Sequence, residues 1–219
     1  MSMHMAFIKV LNMSISASWL VLAVLILRLL LKKSPKWISV ALWALVAVRL
    51  ICPFSIESVM SLIPSRETIP ETIVYAKNPA IDSGVEVIDQ VVNDNVMDNL
   101  TPHIGNSVNP VQVHLFAQEN IWCIGMGVML LWALISYLRL KKKVAASIDV
   151  GNGVHICDYI ATPFILGIIK PKIYLPSSME PDAASHVLAH ERAHIARKDH
   201  WWKPFGYLLL TVHWFNPVL

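Results

Sequence analysis

The chain has 219 residues, enough for one or two domains, and 55% of them are hydrophobic while only 15% are charged. Soluble domains are nearer a quarter charged, so this balance, with a mean hydropathy of +0.54, argues against an ordinary soluble domain and for the bilayer. The formal net charge is only +3, and no basic stripe interleaved with aromatics marks a nucleic-acid surface.

The first apolar run, Val10 to Leu31, is long enough to cross about 30 Å of hydrocarbon at about 1.5 Å per residue. A secretory leader would have a shorter core ending in small residues. This run ends in Arg28-Leu-Leu-Leu-Lys32-Lys33, the pattern of a stop-transfer anchor. The second run, Trp37 to Cys52, is closed by Pro53, with Trp37 and Arg49 placed for the two interfaces. The tight link Lys32–Lys36 predicts a helical hairpin over residues 1–52.

Residues 53–116 hold eight acids (Glu57, Glu67, Glu71, Asp82, Glu86, Asp89, Asp94, Asp98) and two bases, Arg66 and Lys77. Prolines recur at 64, 70, 79, 102 and 110. With no sustained period, an acidic and largely irregular loop carrying at most short helical turns is expected. A third apolar run, Ile121 to Leu140, precedes Lys141–Lys143 and predicts a third span within 117–140. The positive-inside rule then puts the lysine-rich ends in the cytoplasm and the acidic loop and N-terminus outside.

Residues 141–219 are accordingly expected in the cytoplasm, as a small α+β unit. Val144–Val150 and Val154–Tyr159 flank the turn Gly151-Asn152-Gly153. Residues 163–176 follow as one extended piece, whose prolines at 163, 171 and 176 suit an edge of the sheet. A helix starts near Pro181-Asp182, where proline suits the first turn and the acid favours the positive end of the dipole. It is predicted to run to about Lys203 and stop at Pro204, before a last apolar segment, Phe205 to Leu219. The cysteines, Cys52, Cys123 and Cys157, form no C-x-x-C pair, so neither a cysteine zinc site nor a redox motif is expected.

The chemistry sits at His190-Glu191-Arg192-Ala193-His194. Four residues apart on a helix, His190 and His194 project from one face and can share a Zn²⁺ at about 2.0–2.1 Å. Glu191, about 100° round the helix, can take a proton from the attacking water and return it to the leaving amine. This is the H-E-x-x-H pattern. It is short, and the bland reading is a solvated helix with two surface histidines. A catalytic zinc needs a third protein ligand. His200 falls where one zincin family places it, but Arg197 replaces the glycine that would break the helix. On a continuous helix His200 lies about 80° off and about 15 Å along. It is therefore expected near the site or at an interface. His186 is expected on the helix surface, because three histidines at this spacing span about 12 Å. His213, in an apolar run, is expected as a satisfied core histidine.

Residues 163–176, then His190–Lys203, then His213-Trp-Phe-Asn-Pro217, resemble the BlaR/MecR-type membrane zinc metallopeptidases, the beta-lactam-sensor antirepressors and their sensorless relatives. The order of spans, loop and motif also fits over nearly the whole chain. The resemblance implies an α+β membrane protein with three transmembrane helices and a small cytoplasmic zincin-like domain. It implies His190 and His194 as Zn²⁺ ligands, Glu191 as catalytic base, and an acidic third ligand on a later helix. Nothing acidic follows Asp199, so the peptidase domain is expected to be incomplete at its C-terminus, the chain a truncated one, and these 219 residues to bind zinc weakly. By analogy the 163–176 strand holds substrate backbone by strand addition. The implied function is a metalloendopeptidase of the bacterial plasma membrane that cleaves a cytoplasmic protein, such as a transcriptional repressor, in signalling. Expected partners are lipid, that substrate and a second copy of the chain, with no nucleic acid. The competing functions are a quality-control or prenyl-protein-processing membrane zincin, separated by its third ligand, and a catalytically silent transducer, separated by metal content.

Overall fold

The computed structural model describes residues 3–32, 35–52, 68–76, 78–101 and 109–219. The chain is α+β, in the order α1 (Met3–Leu30), α2 (Lys36–Ile51), a 3₁₀ turn (Glu71–Tyr75), α3 (Glu86–Leu100), α4 (Pro110–Lys143), β1 (Ile148–Gly151), β2 (Val154–Cys157), β3 (Phe164–Leu166), β4 (Lys172–Pro176), α5 (Pro181–Ala196) and α6 (Asp199–Val212). It divides into two compact units: Met1–Met126 with Val212–Leu219, and Gly127–Thr211. The centre of the Lys32–Lys36 link, residues 53–67, Lys77 and residues 102–108 lie outside the described residues, and with them Pro64, Pro102 and the charges of Glu57, Arg66 and Glu67.

In the first unit α1 buries Phe7, Val10, Ser14, Ala17, Val21 and Val24, a 3-4-3-4-3 spacing that keeps one stripe facing inward. The C-terminal half of that stripe packs on Val46 and Leu50 of α2, so the predicted α1–α2 pairing is observed. The N-terminal half joins Ile73, Val74 and the start of α4 in a second apolar cluster. Asn12 ties the segment around Ile69 to α1 twice: its amide donates to the Ile69 carbonyl at 2.8 Å, and its Oδ1 accepts from Ile69 N at 2.9 Å.

Among the described residues two helices, α1 and α4, are long and apolar enough to cross a membrane. α2 has 16 residues, about 24 Å of helix, and is shorter than such a span. α4 leaves Ile124, Val128, Leu131, Trp132 and Ile135 exposed, a surface that calls for lipid.

The acidic segment is more ordered than its composition predicts. α3 is a helix of 15 residues, where at most short helical turns were expected. Side chains supply what propensity does not. Asn93 accepts from Ile81 N at 2.8 Å and donates to Ile81 O at 3.0 Å, and Asp89 accepts from Ser83 N at 2.7 Å. α4 likewise begins at Pro110, ahead of the apolar run, because Asn109 Oδ1 accepts from Val111 N at 3.0 Å and caps it.

The second unit holds a four-stranded sheet in the order β1-β2-β4-β3. β1 and β2 are antiparallel, β2 and β4 parallel, β3 and β4 antiparallel. The β1–β2 turn is as predicted: Asn152 (φ 51°) and Gly153 (φ 75°) occupy its centre, the geometry of a type I′ turn. The 163–176 segment is not one edge strand. It folds back at Gly167, whose φ is 109° and where a Cβ would come within 2.6 Å of Lys170 O. β3 takes the edge and β4 goes inside. Its prolines are tolerated because Pro163 and Pro171 flank the strands and Pro176 ends β4.

The sheet has two apolar faces. Cys157, Tyr174 and Phe164 pack with Val144 on one. On the other, Val154, Ile173 and Leu175 pack against Ala184, Val187, Leu188 and Ile195 of α5. That contact holds the His190–His194 helix against the sheet.

Candidate metal centre

α5 starts as predicted, with Pro181 in its first turn and Asp182 beside it. Its stop differs. The helix ends at Ala196, Lys198 takes a left-handed conformation (φ 60°), and α6 begins at Asp199. Arg197 N donates to Ala193 O at 3.1 Å and Lys198 N to Ile195 O at 2.9 Å, closing the last turn. Lys198 O then accepts from Trp201 N at 2.9 Å and starts the next helix. Pro204, the expected terminator, lies inside α6. Its missing N–H removes one hydrogen bond, to His200 O, without ending the helix.

The break shapes the site. His190 and His194 turn towards each other with ring centroids 4.7 Å apart and Nε2 atoms 3.1 Å apart. Two Zn–N bonds of about 2.0–2.1 Å at a tetrahedral angle put the nitrogens about 3.3 Å apart, so the donor pair fits two corners of a zinc shell. On the far side of His194, Nδ1 lies 2.5 Å from Asp199 Oδ2. A carboxylate only accepts, so Nδ1 carries the proton and Nε2 keeps its lone pair for a metal. Arg197 Nη2 stands 2.9 Å from the same Nδ1 and 3.3 Å from Asp199 Oδ2. Both Arg197 and Nδ1–H are donors, so Arg197 serves the carboxylate. The hydrogen bond from His194, with Arg197 adding to it, holds the Asp199 carboxyl below its ordinary range.

Glu191 lies one helical turn from Val187 and from Ile195, on the arc of α5 that faces the sheet, and is half-buried. His186 is exposed on α5, as expected. His200 sits in the first turn of α6. The projection that put it 15 Å along a continuous helix does not apply, because the helix breaks before it. Among the described residues no group of three or more His, Cys, Asp or Glu side chains gathers as a metal shell, so His200 does not join the pair. His213 belongs to the other unit. It is 1% exposed and donates from Nε2 to Leu50 O at 3.3 Å, so it is a core histidine as predicted, but only half satisfied, because Nδ1 has no partner among the described residues. Asp199 and Arg197 were not identified as site residues from the sequence. The available signal was an aspartate five residues beyond His194, but it carries meaning only once the helix breaks between them.

The BlaR1 peptidase M56 family matches residues 8–219. The chain belongs to that family. A relative described as regulatory protein BlaR1 from Bacillus licheniformis is 30% identical over 158 residues, a stretch that covers 56% of this chain and 26% of the relative. The chain thus spans well under two thirds of that curated relative's length. No solved structure matches it. The M56 match runs through α5 and α6, and with the two long apolar helices it supports a membrane location and a peptidase type of chemistry.

Proposed function

We propose that this M56 chain carries the metal-binding and proton-transfer part of a membrane zinc metalloendopeptidase, whose substrate is a cytoplasmic protein of the transcriptional-repressor kind. The observation that carries the reading is the facing Nε2 pair of His190 and His194, with His194 oriented by Asp199. His190 and His194 would hold the ion through Nε2, and Asp199 fixes the tautomer of His194. Zinc, when bound, lowers the pKa of the attacking water and polarises the scissile carbonyl. Glu191 accepts the water's proton and returns it to the leaving amine. Substrate backbone adds along the open edge of β3, since β4 is paired on both sides.

The same reading takes α2 as a third, short span beside α1, in a zincin-like arrangement with the peptidase part in the cytoplasm. The lysine-rich segments Lys32–Lys36 and Lys141–Lys143 support this orientation. A membrane-impermeant thiol reagent on intact cells should label Ser83→Cys and not Gly151→Cys; the reverse pattern would overturn the topology.

The chemical test is Glu191→Gln in the native membrane protein. Proteolysis should be abolished while zinc content is kept. Cleavage at the unmodified rate would remove Glu191 from its role, and loss of zinc would make it a ligand. A silent transducer would show neither metal nor any effect of the substitution.

A further inference from the structure

Between the C-terminal end of α1 and the start of α2 lies a groove of about 730 Å³. Its lining includes Leu25 and Leu29 from α1, Ile38 and Leu42 from α2, and the cations Arg28 and Lys32. Leu25 is 42% exposed and Leu29 65%, so the walls are not closed by the other described residues. Among the described residues no carboxylate pairs with either cation. At this end α2 has Pro35 as its N-cap and no side-chain cap, but the C-terminal end of α1 lies beside it, so the two helix dipoles offset each other and the field of the groove is that of Arg28 and Lys32.

Each of these features has a bland reading alone: a gap between diverging helices, and two cations at a membrane boundary. Together they describe one ligand chemistry. Leucine walls receive an acyl chain through shape and van der Waals contact, as they would a neighbouring apolar helix. A guanidinium and an ammonium with no carboxylate paired to them among the described residues favour a phosphate, which Arg28 can grip with two N–H groups. A zwitterionic lipid would bring its own ammonium against these cations. A basic pocket between membrane helices is a known form of anionic headgroup site.

We propose that this groove binds an anionic phospholipid, with an acyl chain against Leu25, Leu29, Ile38 and Leu42 and the headgroup phosphate on Arg28 and Lys32. The site is independent of the metal centre and stands whether or not the chain is a protease.

The test uses the whole chain, purified in detergent and equilibrated with phosphatidylglycerol or phosphatidylcholine of identical chains. Retained lipid is counted by native mass spectrometry, and helicity and monodispersity are checked for each variant. Phosphatidylglycerol should be retained over phosphatidylcholine by about 25-fold, about fivefold per cation. Arg28→Gln with Lys32→Gln should bring the preference close to unity. Ile38→Trp fills the groove but keeps both charges, and should lose bound phosphatidylglycerol as well. Inorganic phosphate alone should not displace the lipid. Equal retention of the two lipids would overturn the proposal. A full preference surviving in Ile38→Trp would also overturn it, by showing diffuse attraction in place of a groove site. Displacement by inorganic phosphate at millimolar concentration would do the same, by removing the role of the chain.

Discussion

His194 Nδ1 and Asp199 Oδ2 lie 2.5 Å apart across the turn that separates α5 from α6. The contact joins the last turn of one helix to the first residue of the next, so the orientation of a proposed metal ligand depends on where the helix stops. Removing such a partner typically lowers metal affinity 10- to 100-fold. Asp199→Ala should therefore weaken zinc binding by about that factor, and Asp199→Asn, which can still accept, by less. Chelator competition on the purified chain measures it, and unchanged affinity in Asp199→Ala would remove the orienting role.

Lys198 holds its left-handed backbone (φ 60°) without being glycine. For an L-residue that conformation costs about 1–2 kcal/mol. Lys198→Gly should raise the unfolding temperature and keep the His190–His194 geometry, read as unchanged zinc affinity. Lys198→Val, branched at Cβ, should lower both. A lower unfolding temperature in Lys198→Gly would mean that the lysine side chain outweighs the backbone strain.

A Cβ on Gly125 would lie 2.2 Å from Trp214 Cε2. The indole fits there because Trp214 Nε1 donates to Trp122 O at 3.1 Å while Trp122 Nε1 donates to Val212 O at 2.8 Å. Gly125→Ala should displace Trp214 and destabilise the first unit by about 1–3 kcal/mol, the usual range for overpacking. Gly127→Ala, where a Cβ meets nothing within 4 Å, is the control. Equal unfolding temperatures for the two variants would contradict the packing.

The Asp89 carboxyl is held below its ordinary range by its hydrogen bonds to Ser83. A group whose folded pKa is depressed contributes stability that is present above its unfolded pKa, about 3.9. That stability is lost as pH falls through the lower folded value. The N-terminal turn of α3 should therefore be protected near neutral pH and loosen only well below pH 4. Asp89→Asn should remove this pH dependence. Amide exchange over residues 86–90, corrected for intrinsic rate, reads both; identical profiles for the two proteins would refute the link.

Several features were legible because short-range physics sets them. The long apolar runs became α1 and α4, since helix length and apolar content are properties of the run itself. The i, i+4 spacing alone was enough to bring His190 and His194 together. Positive φ at Asn152 and Gly153 followed from their residue types. What only the tertiary structure decided involves competition between partners, near or far in sequence, that the residue pattern does not rank. Proline chemistry pointed to a helix stop at Pro204, but the stop came at a lysine, because Asp199 and Arg197 capture His194 and a new helix starts there. Prolines pointed to an edge strand at 163–176, but Gly167 turns the chain and puts β4 inside, where pairing on both sides is available. The acidic composition pointed away from a helix at 86–100, but Asn93 and Asp89 reach back to Ile81 and Ser83 and hold one. The His213-Trp-Phe-Asn-Pro217 segment could be seen as a motif, but not what it grips. Its Asn216 amide donates to Ser14 Oγ at 2.8 Å and Ser18 Oγ at 2.7 Å, about two hundred residues away in sequence. Pattern and propensity report a residue's own preferences, and which of them prevails is set by partners that only the folded chain brings within reach.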